Sequence, residues 1–215
     1  VPNLIQVAID CERFGAQGIT VHPRPDERHI RYKDVYELKQ VVKTEFNIEG
    51  YPSETFMKLI EDIKPAQVTL VPDAPDVLTS NAGWDTVKFE KELTDIIARL
   101  KKVSRVSVFV EADSDMVRGA KKCGADRVEL YTESYAAQYP NNPQQAIEKF
   151  ITAAKTAQEV GLGLNAGHDL SLENLRYFQE NIPNLLEVSI GHALISDALY
   201  YGLEKTIQMY RNELR

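Results

Sequence analysis

The 215-residue chain is 43% hydrophobic, long enough to bury one large core over residues 1–215. Its net charge of −7 and pI near 5.2 argue against nucleic acid or an anionic membrane as the main partner, while leaving room for a small anionic ligand in a local cationic pocket. Cys11 and Cys123 lie far apart without metal-ligand spacing, and the sequence contains neither a signal-peptide pattern nor an apolar run of the roughly 18 residues that a membrane span needs. It reads as a soluble cytoplasmic protein with free thiols.

The first predicted element is a helix over Val1–Gly15, with Leu4, Ile5, Ala8 and Ile9 at helical spacing and Gly15 past its end. A strand, Ile19–His22, follows and is stopped by Pro23 and Pro25. Asp34 then caps a helix running to Thr44. Strand Phe46–Glu49 ends in a carboxylate, Ser53 caps a helix Glu54–Ile63, and Gln67–Val71 is the next strand. A long loop, Asp73–Asp85, precedes a helix ending near Lys102. Strand Arg105–Glu111 alternates Val106, Val108 and Val110 with Ser107, Phe109 and Glu111. A helix from Asp113 or Ser114 to Gly124 leads to strand Asp126–Thr132, a Tyr/Asn/Pro-rich loop to Pro143, and a helix to Gly161. Strand Leu162–Asn165, helix Ser171–Asn181, strand Leu186–Ile190 and a closing helix Ala198–Leu214 complete the chain.

Strands and helices therefore alternate seven times without a linker, which predicts a parallel sheet, either a closed (β/α)8 barrel or an open doubly wound sheet. The dinucleotide fingerprint is absent. G-L-G-L-N-A-G at 161–167 has its first glycines before and inside a strand, so it is no phosphate-cradling turn of that kind.

Strands of a parallel sheet are normally apolar on both faces. Here one face collects Thr20, His22, Asn47, Glu49, Ser107, Glu111, Arg127, Glu129, Asn165 and Ser189. Polar groups buried there would each cost a few kcal/mol unless bonded or solvated, so the pattern points to a barrel whose upper interior is a site. An amphipathic antiparallel sheet would show the same alternation, but strictly interleaved helices argue against it. His22, His29, His168 and His192, the chain's 4 histidines, all fall at or after predicted strand C-termini, the end where barrel enzymes keep their chemistry. The stretch I-T-V-H-P-R-P-D-E-R-H-I over Ile19–Ile30 adds Arg24 and Arg28, guanidiniums able to grip a phosphate. By itself that stretch is also compatible with a solvated charged turn.

Together with F-N-I-E, L-V-P, V-E-L-Y-T, N-A-G-H-D-L and I-G-H-A in that order, this stretch makes the chain resemble the pyridoxine 5′-phosphate synthase family over essentially all 215 residues. The resemblance implies a (β/α)8 TIM barrel that condenses 3-amino-2-oxopropyl phosphate with 1-deoxy-D-xylulose 5-phosphate. The products are pyridoxine 5′-phosphate, inorganic phosphate and water. It implies no metal or redox cofactor and a homo-oligomer, typically an octamer. Residue by residue it implies that His22 and Glu49 accept protons, that His168 donates one, and that Glu129 stabilises a cationic transition state. Arg24, His29, Thr79, Asp169, Gly191 and His192 match positions that contact substrate or product.

Two departures accompany it. Asp169 stands where the family often has glycine against a phosphate, so its carboxylate is expected to turn away and leave its N–H to the ligand. The family's first strand, with an N-x-D-H segment, has no counterpart. The expectation is therefore roughly 20 to 30 further residues before Val1, and a gap between the strand ending at His22 and Leu186–Ile190.

The residue types suit the chemistry that the resemblance implies. Histidines and a partly desolvated glutamate exchange protons near neutral pH, and Gly191-His192 directly after the last strand is a common place for backbone N–H groups to meet phosphate. Glu129 on the inward face favours an iminium-like cation, or else forms a salt bridge with Arg127. Asp73–Asp85 is long enough for a lid, with Trp84 packing rather than reacting. A metal-dependent phosphosugar epimerase or isomerase using His22, Glu49 and His168, and a non-catalytic phosphate-ligand-binding barrel, remain open from the residues alone. A Schiff-base aldolase is disfavoured because no lysine sits at a strand end: Lys121, Lys122 and Lys155 all fall on predicted helices.

Overall fold

The computed structural model describes residues 3–72 and 82–215. Seven strands, β1 (Gly18–Val21), β2 (Glu45–Gly50), β3 (Gln67–Leu70), β4 (Arg105–Val110), β5 (Arg127–Tyr131), β6 (Gly163–His168) and β7 (Leu185–Ile190), pair in sequence order, every pair parallel. Between and around them run ten helices among the described residues: α1 (Leu4–Phe14), α2 (Tyr32–Val41), α3 (Glu54–Ile63), α4 (Glu90–Leu100), α5 (Ser114–Lys122), α6 (Glu133–Gln138), α7 (Pro143–Val160), α8 (Leu175–Asn181), α9 (His192–Tyr201) and α10 (Leu203–Glu213).

Local chemistry accounts for most of these boundaries. The side chains of Asn3, Ser53 and Asn142 accept the otherwise unpaired N–H groups of Gln6, Phe56 and Gln145 at the starts of α1, α3 and α7. Gly15 and Gly161 end α1 and α7 in the left-handed conformation, at φ 109° and 69°.

Side chains crossing the interior decide between barrel and open sheet. Gln67 on β3 donates to Glu187 on β7 at 3.4 Å, and Arg105 on β4 pairs with Glu45 on β2 and lies 3.5 Å from Glu187. Strands four places apart meet in this way only if the sheet curls on itself. The fold is a TIM-barrel-like (β/α) array of seven strands, with β1 bonded only to β2 and β7 only to β6 among the described residues. The expected gap between β1 and β7 is present: the two strands do not pair.

The main core lies between sheet and helices, where Val106, Val108, Val110, Val128, Leu130 and Leu164 meet Leu38, Ile60, Ile97 and Phe150. The opposite strand face points inward. At the N-terminal end of the barrel it is closed by a bonded polar floor. Arg105 Nε donates to Gln67, Arg127 donates to Asn165 (3.2 Å) and to Glu187, and Asn165 donates to Glu187 at 3.0 Å. Such a network adds little net stability over an apolar floor, but removing one member strands the others. Gln67, Thr69, Arg105 and Glu187 belong to this interior and extend the polar face read from the sequence.

Several local expectations are corrected. The stretch after Thr132 contains helix α6, because Tyr135 buries its ring against Phe150 and Phe178 and donates its hydroxyl to the Asn174 carbonyl at 2.7 Å. The closing helix is two helices, α9 and α10, broken at Gly202 (φ 79°). Asp34 is not the first cap of α2. It sits one turn in, where its carboxylate takes the Arg31 N–H at 2.9 Å and the Arg31 guanidinium at 2.8 Å. Strand β6 continues past Asn165 to His168, its N-A-G segment laddering against both β5 and β7.

Candidate active site

At mid-height the interior is laced by short polar side chains. Thr69 Oγ1 donates to Asn47 Oδ1 at 3.1 Å, and Asn47 Nδ2 donates to Thr20 Oγ1 at 3.4 Å. Because side chains alternate along a strand, His22 and Glu49, each two residues further on, share that inward face one level higher. Val21 pairs with Ile48, so His22 stands level with Glu49 at the C-terminal end, and both are half-buried. Arg24, two residues past His22 and held by Pro23 and Pro25, is only 9% exposed, whereas His29 further along the loop is exposed.

Glu129 is the group that burial affects most. It projects inward from β5, is 2% exposed, and its Oε2 has no hydrogen-bond partner among the described residues. Burial pushes its carboxyl well above the usual carboxylate range, the charge of Glu49 raises it further, Glu187 adds to this, and a hydrogen bond with Ser189 opposes the rise without cancelling it. The alternative salt bridge to Arg127 does not form, since Arg127 turns to the floor and is taken by Asn165 and Glu187. Space for the Glu129 carboxyl comes from Gly167 on β6, where a Cβ would overlap Oε1.

His168 ends β6 at φ 103°, a conformation costly for any residue but glycine. Its Nδ1 lies 2.7 Å from Asp169 Oδ2, and its ring stands edge-on to Tyr131 at 5.1 Å and to His192 at 6.3 Å. Asp169 departs from expectation in one respect. Its carboxylate does turn aside, onto His168, but its N–H is donated to Thr132 Oγ1 at 3.2 Å and is therefore engaged within the protein. Thr132 Oγ1 in turn donates to the Gly167 carbonyl at 2.8 Å.

After β7, Gly191 (φ −113°) leads into α9, whose first turn begins at His192 without a side-chain cap. An added Cβ at Gly191 would meet nothing within 4 Å, and Gly191 and His192 are both exposed. The N–H groups of that turn are available to an anion. Thr79 and most of the expected Asp73–Asp85 lid lie outside the described residues. Trp84 at its far end is packing, as expected: it is 4% exposed, stacks on Tyr51 at 6.1 Å and edge-on to Phe89 at 5.6 Å, and donates its backbone N–H to the Phe109 carbonyl.

The sequence reading missed Tyr131, Thr132 and Gly167. Alternation along V-E-L-Y already places Tyr131 on the face of Glu129, so its signal was present, whereas the pairing of Thr132 with Asp169 joins two strand ends 37 residues apart. Among the described residues no three His, Cys, Asp or Glu side chains are grouped as a metal's ligands would be. No described helix is long and apolar enough to cross a membrane.

The family model described as pyridoxal phosphate biosynthesis protein PdxJ matches residues 1–215. The chain belongs to the PdxJ family. Proteins named pyridoxine 5′-phosphate synthase from Cytophaga hutchinsonii, Bacteroides thetaiotaomicron and Porphyromonas gingivalis are 63%, 62% and 59% identical to it over 215 residues. Each comparison spans all of this chain and 90%, 91% and 90% of the relative. As a member of the PdxJ family the chain is an enzyme of pyridoxine biosynthesis. Its fold is also that of solved barrels with little sequence in common. Phosphoribosylanthranilate isomerase from Thermotoga maritima (TM-score 0.65, 13% identity, 100% of this chain and 95% of that one) and thiamine phosphate pyrophosphorylase from Pyrococcus furiosus (0.65, 13%, 99% and 89%) are similar in architecture alone.

Proposed function

We propose that this PdxJ-family chain acts as a pyridoxine 5′-phosphate synthase, condensing 3-amino-2-oxopropyl phosphate with 1-deoxy-D-xylulose 5-phosphate to pyridoxine 5′-phosphate, phosphate and water. The observation that carries this reading is the Glu129 carboxyl, 2% exposed beside Glu49 and two residues below Tyr131 on β5, where burial and the neighbouring carboxylates push its pKa upward. A carboxyl group whose charged form is disfavoured in this way is favoured as a carboxylate when a positive charge is created next to it. Imine formation between an amine and a ketone creates that charge.

In this reading Glu49 takes a proton from the ammonium of the amino-ketone and frees its lone pair. The amine attacks the ketone of the pentulose phosphate, and His22 moves protons at the resulting carbinolamine. His168 protonates the departing oxygen, which leaves as water, and the Glu129 carboxyl group faces the positive charge that develops on the iminium. The phosphates rest on the uncapped first turn at Gly191 and His192, and on Arg24 with His29 at the other end. Thr79 and Asp169 complete the proposed substrate contacts, the latter through His168.

We further propose a homo-oligomeric, cytoplasmic enzyme. Leu199 and Tyr200 on α9 are 81% and 88% exposed, as apolar groups awaiting a second copy would be, and the two thiols are free. Incubating the protein with both substrates should yield pyridoxine 5′-phosphate by chromatography and equimolar free phosphate. Absence of both, with folded protein shown by circular dichroism, would overturn the assignment.

A further inference from the structure

We infer that Asp169 is a positioning residue for His168, fixing its tautomer so that Nε2 is the nitrogen that meets the reacting oxygen. This rests on the proton-donor role proposed for His168 above. Three independent restraints converge on that ring. The backbone stands at φ 103°, with His168 paired to Ile190 of β7 and the preceding Gly167 paired to Tyr131 of β5 and Ser189 of β7. The Tyr131 ring, itself packed on Phe109 at 5.2 Å, stands edge-on to the imidazole. The Asp169 carboxylate closes on Nδ1 at 2.7 Å.

The carboxylate is positioned as firmly as the ring. The Asp169 N–H is donated to Thr132 Oγ1, and its carbonyl accepts Asn174 Nδ2 at 3.4 Å. Asn174 is 5% exposed and its own carbonyl is held by the buried Tyr135 hydroxyl. The strand end, the first turn after it and helix α6 thus lock one carboxylate against one ring nitrogen. A carboxylate only accepts, so Nδ1 must carry the hydrogen. Nε2 is then left to gain and lose the proton that chemistry requires, as the second nitrogen of an oriented histidine does in other acid–base sites. Among the described residues, His192 on α9, Tyr131, and Glu129 beyond Gly167 are the other ionisable groups near the ring. None of them is shown bonded to Nδ1.

The test uses the whole chain with 15N-labelled histidine. Long-range 1H–15N spectra at alkaline pH should show neutral His168 as the Nδ1–H tautomer in the wild type and in Asp169→Asn, whose amide oxygen still accepts that hydrogen. Asp169→Gly should shift His168 toward Nε2–H. In turnover, Asp169→Gly should lower kcat by about tenfold to a hundredfold, part of what a general acid contributes, with smaller changes in both KM values, and Asp169→Asn should recover most of the loss. A wild-type Nε2–H tautomer, or an unchanged tautomer and kcat in Asp169→Gly, would overturn the inference. If the wild type forms no pyridoxine 5′-phosphate, the functional assignment fails, while the spectra still decide the Asp169–His168 interaction.

Discussion

Gly167 offers the most direct probe of the Glu129 pocket. It lies on the inward face of β6, between Tyr131 and Ser189 in the ladder, and the Glu129 carboxyl occupies the volume its side chain would take. In Gly167→Ala the new methyl would approach Glu129 Oε1 about 1 Å inside ordinary contact while also pressing at 3.2 Å on Ser189 Cβ and its carbonyl oxygen. The carboxyl is enclosed, so either it retreats or β6 shifts. Overpacking of this kind costs about 1–3 kcal/mol, and a displacement of about 1 Å at a reacting group costs up to roughly a hundredfold in rate. Urea unfolding and steady-state turnover should therefore both register the substitution. The cause can be isolated by repeating it in a Glu129→Ala background, where the obstructing oxygen is gone. The stability penalty of the methyl should shrink there by about 1 kcal/mol or more. An equal penalty in both backgrounds, or an unchanged kcat in Gly167→Ala, would refute the reasoning that Gly167 exists to admit the carboxyl.

Three further outcomes are expected. Glu129 has a native pKa above its unfolded one, so the folded chain keeps a proton that the unfolded chain releases; the contribution of Glu129 to stability is greatest below about pH 4 and falls as pH rises toward the raised native value. Glu129→Gln cannot ionise, so thermal melts should show it more stable than wild type by about 1–3 kcal/mol at pH 8 and similar at pH 4, with turnover largely lost; parallel pH profiles would contradict the protonated pocket. Gly191→Asp has open space for its side chain and should fold normally, yet raise KM for the pentulose phosphate at least about tenfold by setting like charge against phosphate; an unchanged KM would place that phosphate elsewhere. Asn142→Ala should lower unfolding free energy by about 1 kcal/mol through loss of the α7 cap and leave kcat within experimental error, and no loss in urea titration would show the cap to be idle.

The sequence determined what depends on neighbours in the chain. Ser53, Asn142, Gly15 and Gly161 act within a few residues of themselves, so helix ends were readable; so was the period-2 alternation that puts Thr20, His22, Asn47, Glu49 and Glu129 on one strand face. The histidines after strand ends could be placed at one end of the barrel because parallel topology follows from alternating strands and helices. What only the tertiary structure decided involves partners distant in sequence. The curl of the sheet is fixed by Gln67 meeting Glu187 across 120 residues, and that same floor takes Arg127 away from Glu129. The Tyr/Asn/Pro-rich stretch became helix α6 because Phe150 and Phe178 offered Tyr135 a buried surface its own segment does not encode. Glu129 owes its raised pKa to burial and to the charges of Glu49 and Glu187, neither near it in the chain. Pattern along a chain sets which face a side chain takes; burial and long-range charge, which set its protonation, exist only once the strands are side by side.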